Sequence, residues 1–231
     1  MPDRQPLRVL LLDLDGTVAD SHHLIYRSLD HAFQMHLGCA YPVSLWERSV
    51  GEPLHRLFAA GCAAQSLPPP TEPQMERLIE SYRSHLMAID RSVQPFPGIP
   101  ESLETLRRRG VRLGIVTTKH SAAAHRSLRY MGLAALFETV VASDQCARLK
   151  PHPEPFLRAL RAMEAQAEEA AGVGDSPHDI EAARAAGMRS VAAMWGVKHR
   201  DPLLQRQPDA LLELPAHLLH LFEDAAAGEP R

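Results

Sequence analysis

The chain has 231 residues, 45% of them hydrophobic and 23% charged, with a formal net charge of -3. That length fits one sizeable domain, or a core domain with a smaller insert. The charge balance gives no electrostatic case for nucleic acid or an anionic membrane as a partner. Charges interrupt every apolar stretch before it could span a bilayer, and residues 1–8 carry no long apolar run of the signal-peptide kind. Cys39, Cys62 and Cys146 are odd in number and far apart, with no C-x-x-C spacing. They read as reduced thiols of a cytoplasmic protein, without a disulfide framework or a zinc site.

In chain order, Val9–Leu12 is an apolar run ending in acids and a glycine. A strand buried on both faces of a parallel sheet has this pattern, with a functional loop at its C-terminal end. Between about Ser21 and Gln94 the reading is helical, over Leu24–Leu37, Leu54–Cys62 and Met75–Ile89, with Pro68-Pro69-Pro70 between the last two. The helix-breaking stretch Pro95-Phe96-Pro97-Gly98-Ile99-Pro100 then returns the chain to the core. Strand patterns follow at Leu113–Val116, ending in Thr117-Thr118, at Thr139–Ala142, ending in Ser143-Asp144, around Ala170–Val173, ending in Gly174-Asp175, and at Ser190–Met194. Helical segments alternate with them at Glu101–Arg109, Ser121–Met131, Pro155–Ala165 and Asp179–Ala186. The expected fold is α/β, a doubly wound parallel sheet built by right-handed crossovers, with an inserted α-helical cap. The expected core is 1–20 with 95–231, and the expected cap is 21–94, with hinges near Ala19–His22 and Gln94–Gly98. Ligands of such sheets sit beyond the carboxyl ends of the strands.

The chemistry-bearing residues fall at those ends. Asp13 and Asp15, one residue apart after the first strand, can serve as a nucleophile toward phosphorus and as a proton donor and acceptor. Asp175 and Asp179 follow a second buried strand within Gly174-Asp175-Ser176-Pro177-His178-Asp179. Four acids converging on one edge repel one another unless a hard cation joins them, and Mg²⁺ with carboxylates, waters and phosphate oxygens suits that role. Thr117 ends another strand, where its hydroxyl and the neighbouring amides, Thr118 included, can hold phosphate oxygens. Lys150, one of three lysines with Lys119 and Lys198, lies among rigid prolines and reads as a point charge for phosphate.

Taken together, four segments resemble the haloacid dehalogenase superfamily, in its phosphoglycolate phosphatase-like and pyrophosphatase-like branch. They are Asp13-Leu14-Asp15-Gly16-Thr17-Val18-Ala19-Asp20-Ser21, Val116-Thr117-Thr118-Lys119, Leu149-Lys150-Pro151-His152-Pro153-Glu154-Pro155 and Gly174-Asp175-Ser176-Pro177-His178-Asp179. The resemblance implies Asp13 as nucleophile, Asp15 as general acid and base, and Thr117 and Lys150 on the phosphate. It implies Mg²⁺ on the Asp13 carboxylate, the Asp15 carbonyl and Asp175, with Asp179 and Ser176 behind them. The expected activity is hydrolysis of a small phosphomonoester, phosphoglycolate-like, through an aspartyl-phosphate. Inorganic pyrophosphate hydrolysis and a β-phosphoglucomutase-like reaction are the alternatives. Asp15 argues against a true dehalogenase, and the absence of lysine between Gly16 and Gln94 argues against a Schiff-base hydrolase of this superfamily. Within the insert, the stretch around Val50-Gly51-Glu52-Pro53-Leu54-His55 resembles the family's substrate-specificity loop, with Arg48, Gly51 and Glu52 as candidates. The partner implied is a small phosphorylated metabolite.

Overall fold

The computed structural model describes residues 6–46, 49, 51–197 and 199–228. It separates into two compact units, a sheet unit running to Asp20 and resuming at Gln94, and a helical unit over Ser21–Val93. The strands are β1 (Val9–Leu12), β2 (Ala19–Asp20), β3 (Gln94–Pro95), β4 (Arg112–Val116), β5 (Thr139–Val141), β6 (Ala170–Gly174), β7 (Arg189–Ala193) and β8 (Ala210–Leu212). Six of them form one parallel sheet in the order β5-β4-β1-β6-β7-β8. The central strand is the most apolar, as a strand covered by helices on both faces must be. Every residue of β1 is buried, with Leu10 between Leu113 and Ala171 in register. The order reverses direction at β1, since the chain moves outward through β4 and β5 and then through β6, β7 and β8 on the other side. The loops after β1, β4 and β6 therefore open at a topological switch point, where α/β sheets form ligand crevices.

The helical unit contains α1 (His22–Leu37), α2 (Val43–Trp46), α3 (Leu54–Ala64) and α4 (Glu72–Ile89). Its core is aromatic. Phe33 meets Tyr41 edge-on with ring centroids 4.9 Å apart and stacks with Phe58 at 6.0 Å, and Phe58 meets Tyr82 at 6.4 Å. The Tyr41 hydroxyl donates to the Leu57 carbonyl at 3.0 Å, so the one polar atom of that buried ring is satisfied. Helix α4 begins where the sequence supplies a stop and a start. After the three prolines, the Thr71 amide donates to Gln74 Oε1 at 2.9 Å, half of a capping box.

The helices of the sheet unit are α5 (Ile99–Arg108), α6 (Ser121–Tyr130), α7 (Glu154–Ala162), α8 (Pro177–Ala185) and α9 (Asp201–Leu204). Phe156, Leu160 and Met163 of the α7 region pack with Ala182 and Ala183 of α8 against Val9, Leu11 and Val116 of the sheet. The short strands β2 and β3 pair with each other, Ala19 opposite Pro95 and Asp20 opposite Gln94. This two-residue ribbon joins the points where the chain departs the sheet unit and comes back. The three cysteines are free thiols, and no helix among the described residues is long and apolar enough to cross a membrane.

Candidate active site

The site is built from the three turns that follow β1, β4 and β6. Asp13 is one residue beyond β1, and its amide donates to the Val173 carbonyl at 2.8 Å, so sheet pairing continues through the acid itself. The chain then curls back, with the amides of Val18 and Ala19 donating to the Leu14 carbonyl and that of Gly16 to Ala19. Beyond β4, the Thr117 amide donates to the Val141 carbonyl at 2.9 Å, and the Thr117 side chain is buried. Beyond β6, Asp175 precedes α8, and Asp179 lies in the first turn of that helix, where the backbone dipole favours a negative charge. Asp179 fits there because residue 174 is glycine. A Cβ on Gly174 would stand 2.2 Å from the Asp179 side chain.

Lys150 joins two of these turns. Its buried ammonium donates to Asp13 Oδ1 at 2.8 Å, to the Val116 carbonyl at 3.0 Å and to Asp179 Oδ1. The other oxygen of Asp179 accepts from the Ser176 amide at 3.1 Å and the Ser176 hydroxyl at 2.6 Å. Asp175 Oδ1 accepts the Thr17 hydroxyl at 2.7 Å. Asp13, Asp175 and Asp179 each offer a carboxylate oxygen within 4.8 Å of the others.

The electrostatics follow from three buried carboxylates facing one buried ammonium. Burial pushes the Asp13 carboxyl up to about 8; Lys150 opposes this, and Asp179 and Asp175 add to it. For Lys150, burial works against the charged form, but Asp13 and Asp179 outweigh it and the ammonium is held above its ordinary range. The cluster brings three acids within reach of one another around the Lys150 ammonium. Its donors are hard oxygens, the set that a small divalent cation prefers, so the residues present fit such an ion.

The sequence-derived candidates divide into two groups. Asp13 and Asp15 follow β1, Thr117 follows β4, and Asp175, Ser176 and Asp179 follow β6, while Lys150 reaches them from the segment between β5 and α7, and Thr118 is next to Thr117 and partly buried. Gly51 and Glu52 belong to the helical unit, where Gly51 turns with φ 88° and Glu52 lies 3.5 Å from Arg56 on the first turn of α3. Arg48 lies outside the described residues.

Three contacts were not foreseen from the sequence. Lys119 Nζ donates to Asp15 Oδ1 at 2.8 Å, Thr17 reaches Asp175, and the Trp195 indole N–H donates to the Thr17 carbonyl at 2.9 Å. Next to Trp195, an added Cβ on Gly196 would lie 2.2 Å from the Gly16 carbonyl oxygen, so the loop after β7 sits directly on the turn after β1. The rarity of lysine was the available signal for Lys119. The adjacent Trp195-Gly196, placed just after a strand, was the signal for the second loop.

The sequence profile of the haloacid dehalogenase-like hydrolases matches residues 10–193. A pyrophosphatase, PpaX, of Halalkalibacterium halodurans is 32% identical over 216 residues, covering 93% of this chain and 96% of that protein. The PpaX of Anoxybacillus flavithermus is 32% identical over 94% of this chain and 97% of its own length. Among solved structures, a hydrolase of the haloacid dehalogenase-like family from Streptococcus pneumoniae superposes with a TM-score of 0.81 at 27% identity, covering 94% of this chain and 99% of that one. A Haemophilus somnus protein, described as a predicted phosphoglycolate phosphatase, gives a TM-score of 0.86 at 23% identity, covering 95% and 99%. At that identity the likeness speaks for the fold. The parallel sheet, the residues gathered at its switch point and the matched profile agree: this chain belongs to the haloacid dehalogenase-like hydrolases and is an enzyme, a phosphatase of that family.

Proposed function

We propose that this enzyme is a Mg²⁺-dependent phosphatase that hydrolyses a small phosphorylated metabolite through an aspartyl-phosphate on Asp13. The observation that carries the reading is the pair of acids after β1, each held by its own lysine, with Lys150 2.8 Å from Asp13 and Lys119 2.8 Å from Asp15. In the first step an Asp13 oxygen attacks phosphorus, the bond from phosphorus to the leaving oxygen breaks, and Asp15 gives that oxygen a proton. In the second step a water attacks phosphorus, Asp15 takes its proton, and the bond to Asp13 breaks to release phosphate. Lys150 offsets charge on the transferring group, and Thr117 and Thr118 bind its oxygens from the end of β4. A Mg²⁺ ion held by Asp13, the Asp15 carbonyl and Asp175 would neutralise phosphoryl charge, and Asp179 and Ser176 would keep those ligands in place.

Two substrate classes are proposed. One is a phosphomonoester such as phosphoglycolate. The other is inorganic pyrophosphate, favoured by the PpaX relatives, which align over nearly the whole chain. The helical unit is proposed to act as a cap that selects between substrates, with Arg48, Gly51 and Glu52 as candidate reading residues. The three free thiols agree with a cytoplasmic setting. The test is a phosphate-release screen with Mg²⁺ over a panel containing phosphoglycolate, pyrophosphate and sugar phosphates. Asp13→Asn should retain the fold and lose release on every active substrate, and EDTA should do the same to the wild type. Turnover by Asp13→Asn within tenfold of wild type would remove Asp13 from the nucleophile role.

A further inference from the structure

Lysine is scarce in this chain, and both lysines within the described residues are used at the same place. Of 25 basic residues only Lys119, Lys150 and Lys198 are lysine. Lys150 Nζ takes Asp13, and Lys119 Nζ takes Asp15 at 2.8 Å, with only 7% of the Lys119 side chain exposed. A compact ammonium fits such a confined position, whereas a guanidinium needs a planar space and several acceptors. The backbone of Lys119 is fixed on both sides. Its amide donates to the Thr117 hydroxyl oxygen at 3.1 Å, and its carbonyl accepts the Ser143 amide at 3.0 Å. The ammonium is thus referenced to the turn that carries Thr117, and through it the Asp15 carboxylate is referenced to the same turn.

We propose that Lys119 is a positioning residue that holds the Asp15 carboxylate toward the leaving-group oxygen. This rests on the reading of Asp15 as proton donor and acceptor. An aspartate has few rotamers, but proton transfer requires heavy atoms within about 3 Å, so a carboxylate that spends time in the wrong rotamer loses rate and not affinity. The phosphoryl group makes its contacts elsewhere, so Lys119 should influence kcat and leave KM alone. Its influence should grow as the leaving group needs the proton more.

The experiment compares wild type, Lys119→Met, Lys119→Arg, Asp15→Asn and the double variant Asp15→Asn/Lys119→Met, with Mg²⁺, on p-nitrophenyl phosphate and phenyl phosphate. The first leaving group departs readily without a proton and the second does not. In the first turnover, where Asp15 acts as the acid, Lys119→Met should slow phenol release by about tenfold or more and nitrophenol release by less than about threefold, with KM within about twofold on both substrates. Lys119→Arg should recover part of the loss. The double variant should be no slower than Asp15→Asn alone, because a residue acting through Asp15 has nothing to position once Asp15 cannot exchange protons.

A rise in KM on both substrates, with weaker inhibition by inorganic phosphate that persists in the Asp15→Asn background, would overturn the proposal and make Lys119 a ligand of the substrate. An unchanged ratio of the two substrates in Lys119→Met, with Asp15→Asn shifting it, would overturn the proposal and leave the acid-base reading standing. Equal losses of first-turnover leaving-group release on the two substrates in Asp15→Asn would overturn that reading together with the proposal. Thermal unfolding of each variant separates these outcomes from a folding defect, and the Arg variant keeps the comparison available if the Met variant fails to fold.

Discussion

Thr17 donates its hydroxyl to Asp175 at 2.7 Å while its carbonyl receives the Trp195 indole N–H at 2.9 Å. One residue thereby links the loop after β7 to an acid of the carboxylate group. A hydrogen bond to a charged acceptor contributes about 1.5–3 kcal/mol, and valine keeps the shape of threonine without the donor. Thr17→Val should therefore raise the Mg²⁺ concentration for half-maximal activity about tenfold, and Thr17→Ser by less than about threefold. Calorimetric titration of Mg²⁺ into each protein gives the same comparison without turnover. An unchanged Mg²⁺ affinity in Thr17→Val would show that the contact does not position Asp175.

Among the described residues, Lys150 is the cation that contacts both Asp13 and Asp179. Removing one partner of a buried ionic group leaves uncompensated charge, at a cost of about 3–5 kcal/mol. In EDTA, Lys150→Met should lower the stability of the sheet unit by about that amount in urea unfolding. Adding Asp179→Asn should restore at least half of the loss, because it removes one of the stranded carboxylates. A double variant as unstable as the single one would show that lost packing of the lysine stem, and not charge, dominates.

A pH dependence is built into the helical unit at His85. The Ser28 hydroxyl donates to the Leu24 carbonyl at 2.8 Å, so its oxygen accepts from His85 Nδ1 at 3.1 Å. His31 stacks on His85 with ring centroids 4.2 Å apart. Burial, then His31 and Arg27, lowers the His85 pKa below its ordinary 6.5. The folded state thus favours neutral His85. Well above pH 6.5 both states are neutral and that stability is fully present; as the pH falls through 6.5 the unfolded chain binds a proton that the folded chain resists, and stability is lost. Wild type should lose stability relative to His85→Gln between about pH 7.5 and about pH 5. Parallel curves for the two proteins in urea unfolding would exclude His85 as the source.

The strands were legible in the sequence where they are buried on both faces. Val9–Leu12 is found as read, and the runs around Leu113, Thr139, Ala170 and Ser190 shift by about a residue at their ends. Strand β8 was missed because it is an edge strand of three residues, Ala210–Leu212, two of them at least partly exposed, and its apolar run is too short to mark a strand. It is placed by Asp209, whose carboxylate accepts from the Ser190 amide and hydroxyl at 2.9 and 2.8 Å. The acids and Lys150 were legible because position after a buried strand determines where they emerge. The contacts of Lys119, Thr17 and Trp195 were not, since each depends on the path of a turn, and neither hydrophobic period nor propensity encodes that path. Gly196 shows the same limit: only the approach of Gly16 explains why a side chain is excluded there.

The ribbon of β2 and β3 sets the terms on which the insert can change. Asp20 and Gln94 face each other as a paired couple, so the segment between them begins and ends at a single point of the sheet unit. The entropy of closing such a loop grows only with the logarithm of its length, about 0.6 kcal/mol for each doubling. Lengthening or shortening the insert therefore places little load on the sheet, whose ladder is completed by residues outside it. Asp20 and Gln94 form a natural splice junction, where recombination can exchange one helical segment for another while the carboxylates beyond β1 and β6 keep their positions.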